Sequence, residues 1–148
     1  MIGRSFSFQL LTASLAIAER SLERWDAALA NLRQALQIYV NLGDREKIGK
    51  SFAELSDALI LAGRFQEAAE TARRGLNHLG TDISAERARL FASLEQAHAL
   101  TRAYEPAQEA LHEASNIASQ LSDQKLEARL LGVRSTINFE FFRLRETA

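Results

Sequence analysis

The chain has 148 residues, 47% of them apolar and 25% charged, with 18 basic residues against 19 acidic ones and a formal charge of −1. That length fits one compact domain or one short repeat array, and it suffices for a core, since a chain of this size buries roughly 68–70% of the surface it exposes when unfolded. Cysteine is absent, which excludes a disulfide framework, a thiol nucleophile and any cysteine-ligated zinc or iron–sulfur site. The balanced charge supplies no field to draw the chain onto nucleic acid or an anionic membrane.

Residues 1–18, MIGRSFSFQLLTASLAIA, have an Arg near the start and close on Ala16-Ile17-Ala18, the outline of a secretory leader. Gln9, Thr12 and Ser14 interrupt the apolar stretch, and the repeat alignment below gives the same residues a structural role, so the segment reads as helix. No other window approaches the roughly 18 uninterrupted apolar residues a membrane span requires. Along the rest of the chain apolar residues recur at three and four, with no sustained strand-like alternation. Gly43, Gly63 and Gly80 stand where a left-handed residue ends a helix, and Asp44, Ser84 and Ser122 or Asp123 stand as N-caps. Pro106, the only proline, falls in a first turn, where its missing N–H has no intrahelical partner to lose. The pattern predicts an all-α protein of about seven antiparallel helices, near 5–22, 25–41, 45–62, 65–79, 84–102, 104–121 and 123–145. That is three hairpins (about 5–41, 45–79 and 84–121) and a lone last helix.

The helices repeat. Leu61-Ala-Gly-Arg-Phe65-Gln-Glu-Ala68-Ala69 is matched 40 residues earlier by Leu22-Glu-Arg-Trp25-Asp-Ala27-Ala28 and 39 later by Leu100-Thr-Arg-Ala-Tyr104-Glu-Pro-Ala107. Each copy sets Ala three residues after an aromatic. The preceding segments repeat too: Phe52, Leu55, Ala58 and Leu61 correspond to Phe91, Leu94, Ala97 and Leu100, to Leu130, Val133, Thr136 and Phe139, and to Thr12, Leu15, Ala18 and Ser21. One hairpin cannot bury both of its apolar faces, so successive hairpins stack and the core runs along the array. Ala28, Ala68 and Ala107 follow the turn aromatic, where a large side chain would hold paired helices apart beyond the usual 8–10 Å.

These residues resemble the tetratricopeptide repeat family. Its W-x2-L-G-x2-Y element appears as Phe52-x2-Leu55-Ser56-x2-Leu59, and its A-x3-F element as Ala28-x3-Leu32 and Ala107-x3-Leu111. Glu95 and Arg134 depart from the small residue of the pattern, and the 39–40 residue period exceeds the family's usual length of about 34. The resemblance implies a right-handed α-α superhelix that binds a protein or peptide partner and has no catalysis of its own. Long-period arrays with a turn such as Leu42-Gly43-Asp44 look like those of bacterial signalling regulators and ATPase-linked transcription activators, which implies a cytoplasmic scaffold or sensory segment.

Enzymatic signatures are missing: no glycine-rich phosphate loop, no G-x-S-x-G, no H-E-x-x-H and no acidic calcium loop occurs. His78, His98 and His112 fall in three different helices without ligand spacing, so no catalytic residue, cofactor or metal is expected. His98 reads as a packed residue, and His78 as one meeting the negative end of its helix. Phosphate contact needs a basic track, and none is visible. By the resemblance, the first helix of each hairpin lines a groove. That puts Lys50 beside Arg89 and Asp57 beside Gln96, with Ile17 and Arg20 from the first repeat, a surface suited to a peptide with an acidic group. The alternative is an all-α ligand-binding or enzyme domain with a site between helices; a closed pocket around His98, His112 and a carboxylate would favour it. In the last helix Phe139, Phe141 and Phe142 enlarge an apolar surface that a terminal helix should not show to water, which points to self-association there as a homodimer.

Overall fold

The computed structural model describes residues 2–132 together with residues 134 and 143, with side chains from residue 11 onward. Its elements are α1 (Ile2–Leu42), α2 (Arg45–Leu61), α3 (Phe65–Leu79), α4 (Ala85–Leu100) and α5 (Tyr104–Leu121), followed by α6 over residues 124–132. Among the described residues there is no strand. The fold is the expected all-α solenoid, with α2 packed on α1, α3 and α4, and α4 packed on α2, α3 and α5.

Four turns share one construction. Gly43, Gly63, Arg102 and Ser122 take left-handed backbone conformations, with φ of 69°, 77°, 61° and 53°. The next residue then donates its N–H back across the turn: Asp44 to Tyr39, Arg64 to Leu59, Ala103 to His98 and Asp123 to Ala118. This closes the helix end by satisfying a carbonyl that would otherwise lack a partner. Side chains cap the starts of α2, α4 and α6, while α3 and α5 begin at Arg64 and Ala103 without a side-chain cap. The Asp44 side chain accepts from the Lys47 amide and that of Ser84 from the Arg87 amide, while Asp123 accepts from Lys125 and Leu126. Pro106 sits in the first turn of α5.

The main core joins Leu29 and Leu36 of α1, Ile48, Phe52, Leu55 and Leu59 of α2, the alanines Ala68, Ala69 and Ala72 of α3, and Leu90 and Leu94 of α4. A smaller cluster of Leu111, Ala114, Ala118 and Leu130 continues it into α6, with Phe91 packed against both. Helices approach closely at Gly75, where an added Cβ would lie 2.8 Å from the Phe52 Cβ and 2.9 Å from a Leu90 methyl.

At the N-terminus the structure departs from expectation. Instead of helices 5–22 and 25–41 joined by a turn, α1 runs unbroken from Ile2 to Leu42. Glu23 holds the place, two residues before the aromatic, that Gly63 and Arg102 hold in the later repeats, and it stays helical. A left-handed turn there would cost a non-glycine residue roughly 1–2 kcal/mol, a cost that Arg102 and Ser122 meet where the next helix packs back, whereas residues 11–24 of α1 are exposed and no packing offsets it. The packing role expected of Ala28 is accordingly unmet: Ala68 and Ala107 are fully buried, whereas Ala28 is exposed, because the helix that should cross it points away.

Candidate protein-interaction surface

α2 and α4 lie side by side as the first helices of successive hairpins, and they bring part of the expected row together. Arg89 donates from its guanidinium to Asp57 Oδ2 at 3.0 Å, and Ser93 Oγ donates to Asp57 Oδ1 at 2.6 Å. Asp57 therefore meets Arg89 and Ser93, not Gln96, which remains exposed. The expected register is displaced by one to two turns, since each hairpin is staggered along the axis of its predecessor. Nor does Lys50 stand free as a cation beside Arg89: its Nζ donates to Glu46 Oε1 at 2.7 Å, and that bond with its charge raises the Lys50 pKa. Ile17 and Arg20 lie on the exposed first half of α1 and are not brought into the row. Phe139, Phe141 and Phe142 lie outside the described residues.

The inner faces are more deeply packed than periodicity suggested. Ala53 and Ile60, at helical spacing from Lys50 and Asp57 on α2, are buried because α2 packs on α1, α3 and α4. Along this seam α2 and α4 leave to solvent the half-exposed Asp57 and Arg89 and the exposed Gln96, with the exposed leucines Leu61 and Leu100 at their C-terminal ends.

A second concavity lies between α3, α4 and α5. Arg73, Phe91, His98, Glu109, His112 and Glu113 border an open cleft of about 500 Å³. The Arg73 guanidinium faces His98 Nε2 at 3.3 Å. As arginine only donates, that nitrogen accepts and the ring proton belongs on Nδ1. Burial, and secondarily the Arg73 charge, lowers the His98 pKa. His98 is half-buried, as expected for a packed residue, while His112 is exposed, so the closed pocket around two histidines and a carboxylate does not form. No group of three or more metal-ligating side chains occurs among the described residues. His78, in the last turn of α3, packs its ring on Phe52 with centroids 5.2 Å apart.

Glu95 replaces the small residue where α4 crosses α5 and is fully buried, with neither carboxylate oxygen hydrogen-bonded. Its counterpart Ser56 fits the crossing and donates from Oγ to the Ala68 carbonyl at 2.9 Å. Burial alone pushes the Glu95 pKa up to about 7.

Hairpins of this construction, with small residues at the crossing and an aromatic opening the second helix, are matched by the family model of the tetratricopeptide repeat over residues 7–79. Residues 7–79 carry tetratricopeptide repeats. No curated protein matches it. Tetratricopeptide repeats make this a protein–protein interaction module, and no helix among the described residues is long and apolar enough to cross a membrane.

Proposed function

We propose that the chain is a non-catalytic scaffold or sensory segment of a bacterial signalling or transcription regulator, working in the cytoplasm, and that it holds a peptide or helix of a partner protein across α2 and α4. The observation that carries the docking surface is the cross-helix ladder in which Asp57 joins Arg89 and Ser93 at 3.0 and 2.6 Å. It locks the two helices in register while leaving Gln96, Lys50 and the edges of Asp57 and Arg89 open to a ligand. Because Arg89 and Lys50 already have carboxylate partners, the surface favours a partner of mixed polarity over a purely acidic one. Leu61 and Leu100 offer an apolar foothold at one end. The regulator setting rests on the resemblance of the Leu42-Gly43-Asp44 turn, formed here with Gly43 left-handed and Asp44 as N-cap.

The test is selection of a displayed peptide library against the whole chain, with an Asp57→Ala/Arg89→Ala variant as counter-screen. Peptides enriched on the wild type should lose at least about tenfold in affinity on the variant, the equivalent of roughly 1.4 kcal/mol, while helix content stays unchanged. Enrichment that is equal on both chains would sink the proposed surface. For the setting, the coding sequence on either side should specify an ATPase or DNA-binding domain.

A further inference from the structure

The second and third repeats bury different chemistry at one crossing. Ser56 and Glu95 hold equivalent places and both are fully buried. The Ser56 hydroxyl donates to the Ala68 carbonyl at 2.9 Å, whereas neither Glu95 oxygen has a hydrogen-bond partner. Phe91, Ala92 and Ala99, each one helical turn from Glu95, pack against the cluster formed by Leu111, Ala114 and Ala118 of α5 with Leu130 of α6. Residues three and four apart share a helix face, so Glu95 stands in the middle of the apolar seam that holds α5 and α6 to α4. Of the helices before it, α5 packs on α4 alone, while α2 is held by α1, α3 and α4.

Among the described residues no charge takes the place of the missing hydrogen bonds. On α4, the Arg87 guanidinium lies over the Phe91 ring, and His98 faces Arg73 of α3. The α2 side of α4 is the opposite one, where Asp57 meets Arg89 and Ser93. On α5, Tyr104 is half-buried and Glu105, Glu109, His112 and Glu113 are exposed. Arg102 in the preceding turn is exposed, as are Lys125 and Arg129 of α6, where Glu127 is half-buried. None of these groups contributes to the raised pKa of Glu95, whose cause is burial alone.

We propose that Glu95 is a pH-sensitive latch: while its carboxyl is neutral α5 and α6 stay seated on α4, and its ionisation releases them from a core of α2, α3 and α4 that remains folded. A neutral carboxyl tolerates an apolar seam far better than a bare carboxylate, which loses its hydration there and gains no partner. The closed state keeps the proton up to a pH of about 7, and the released state gives it up near the ordinary value of 4.5. The closed state therefore has its full advantage below about pH 4.5 and loses it as pH rises to about 7. Units of a repeat array are held by their immediate neighbours, so a helix with one such neighbour among α1–α4 separates without unfolding the others. Release uncovers the apolar faces around Phe91 and Leu111, a surface that the closed array does not present.

Hydrogen exchange of the whole chain tests the latch, read as protection factors so that the intrinsic pH dependence of exchange cancels. Amides of α5 should lose roughly fiftyfold in protection between pH 5 and pH 8, as the two proton affinities require, while those of α2 and α3 keep theirs. Glu95→Gln retains the shape and cannot ionise, so α5 protection should become equal at the two pH values. Glu95→Ser, which copies Ser56, should do the same and serves if the amide variant fails to fold. Wild-type α5 protection that is flat with pH overturns the proposal. So does a loss that persists in the folded variants, which would assign it to another group such as His112, or a parallel loss across α2 and α3, which would make it global unfolding.

Discussion

The second and first repeats contain the same pattern and reach different ends. Around Ser56 and Ala68 two helices cross closely, with every matched position buried and the one polar group hydrogen-bonded. Around Ala16 and Ala28 the same spacing of small and apolar residues lies along one straight helix in water. The difference is one of neighbours. α2 is held by helices on three sides, whereas residues 11–24 of α1 are exposed and Glu23, at the turn position, continues the helix. Periodicity therefore specifies which residues would meet, and tertiary surroundings decide whether they do.

The comparison breaks first at matched leucines. Leu55 is 4% exposed, and Leu55→Ala should cost about 2–5 kcal/mol through lost burial and the cavity left behind. Leu15→Ala, at the equivalent place, should cost less than about 0.5 kcal/mol in dilute solution, as surface substitutions do. Urea unfolding of both variants at low protein concentration measures the contrast; a large loss at Leu15 in the monomer would mean that the first hairpin closes within one chain.

The third repeat sharpens the comparison at one position, because Ala16, Ser56 and Glu95 are equivalents. The native state holds the Glu95 proton to a pH of about 7, while the unfolded chain releases it near the ordinary glutamate value, so the native state binds more protons between the two. Stability contributed by the protonated form is complete below about pH 4.5 and declines as pH rises to about 7, by on the order of 2–3 kcal/mol. Glu95→Ser, which copies the second repeat, should remove this decline. The variant should be more stable than wild type by that order at pH 8 and nearly equal at pH 4.5. Urea midpoints at the two pH values decide the matter, and a wild-type midpoint that is flat with pH would show that water or a partner group stabilises the Glu95 charge.

A smaller effect probes the crossings themselves. Ala68→Phe forces a ring into a fully buried site and should destabilise by roughly 1–3 kcal/mol through overpacking. Ala28→Phe should leave the melting midpoint of the dilute chain unchanged while weakening any association that covers Ala28. If both variants melt early, the exposure of Ala28 does not describe the chain in solution.

Much of this fold was legible because helix ends carry strong local chemistry. Gly43, Gly63, Asp44, Ser84 and Asp123 act at the boundaries where their residue types place them. The missing turn at Glu23 was not legible. Arg102 and Ser122 show that a left-handed turn forms on non-glycine residues where packing offsets its cost, so the absence of glycine at 23 did not by itself decide the turn. On the candidate surface the residue types could be read, but not their pairing. Asp57 and Arg89 were both assigned to the groove, yet the stagger that joins them comes from how hairpins tilt on one another, which no residue spacing along one chain encodes. Glu95 stood out as a break in pattern, while its burial without partners depended on α5 closing over it.

The smallest expected effect concerns that ladder. Asp57 and Arg89 have side chains 34% and 35% exposed, in a setting where water screens the pair and holding two side chains in one geometry offsets part of the attraction. Asp57→Asn keeps the shape and the Ser93 contact but removes the charge, and should cost about 0.5–1 kcal/mol. The loss should shrink when salt is raised to 1 M, where the screening length falls to about 3 Å. Ile17 holds the equivalent place in the first repeat, where no second helix lies alongside; Ile17→Asp should therefore leave the stability of the dilute chain within about 0.5 kcal/mol of wild type.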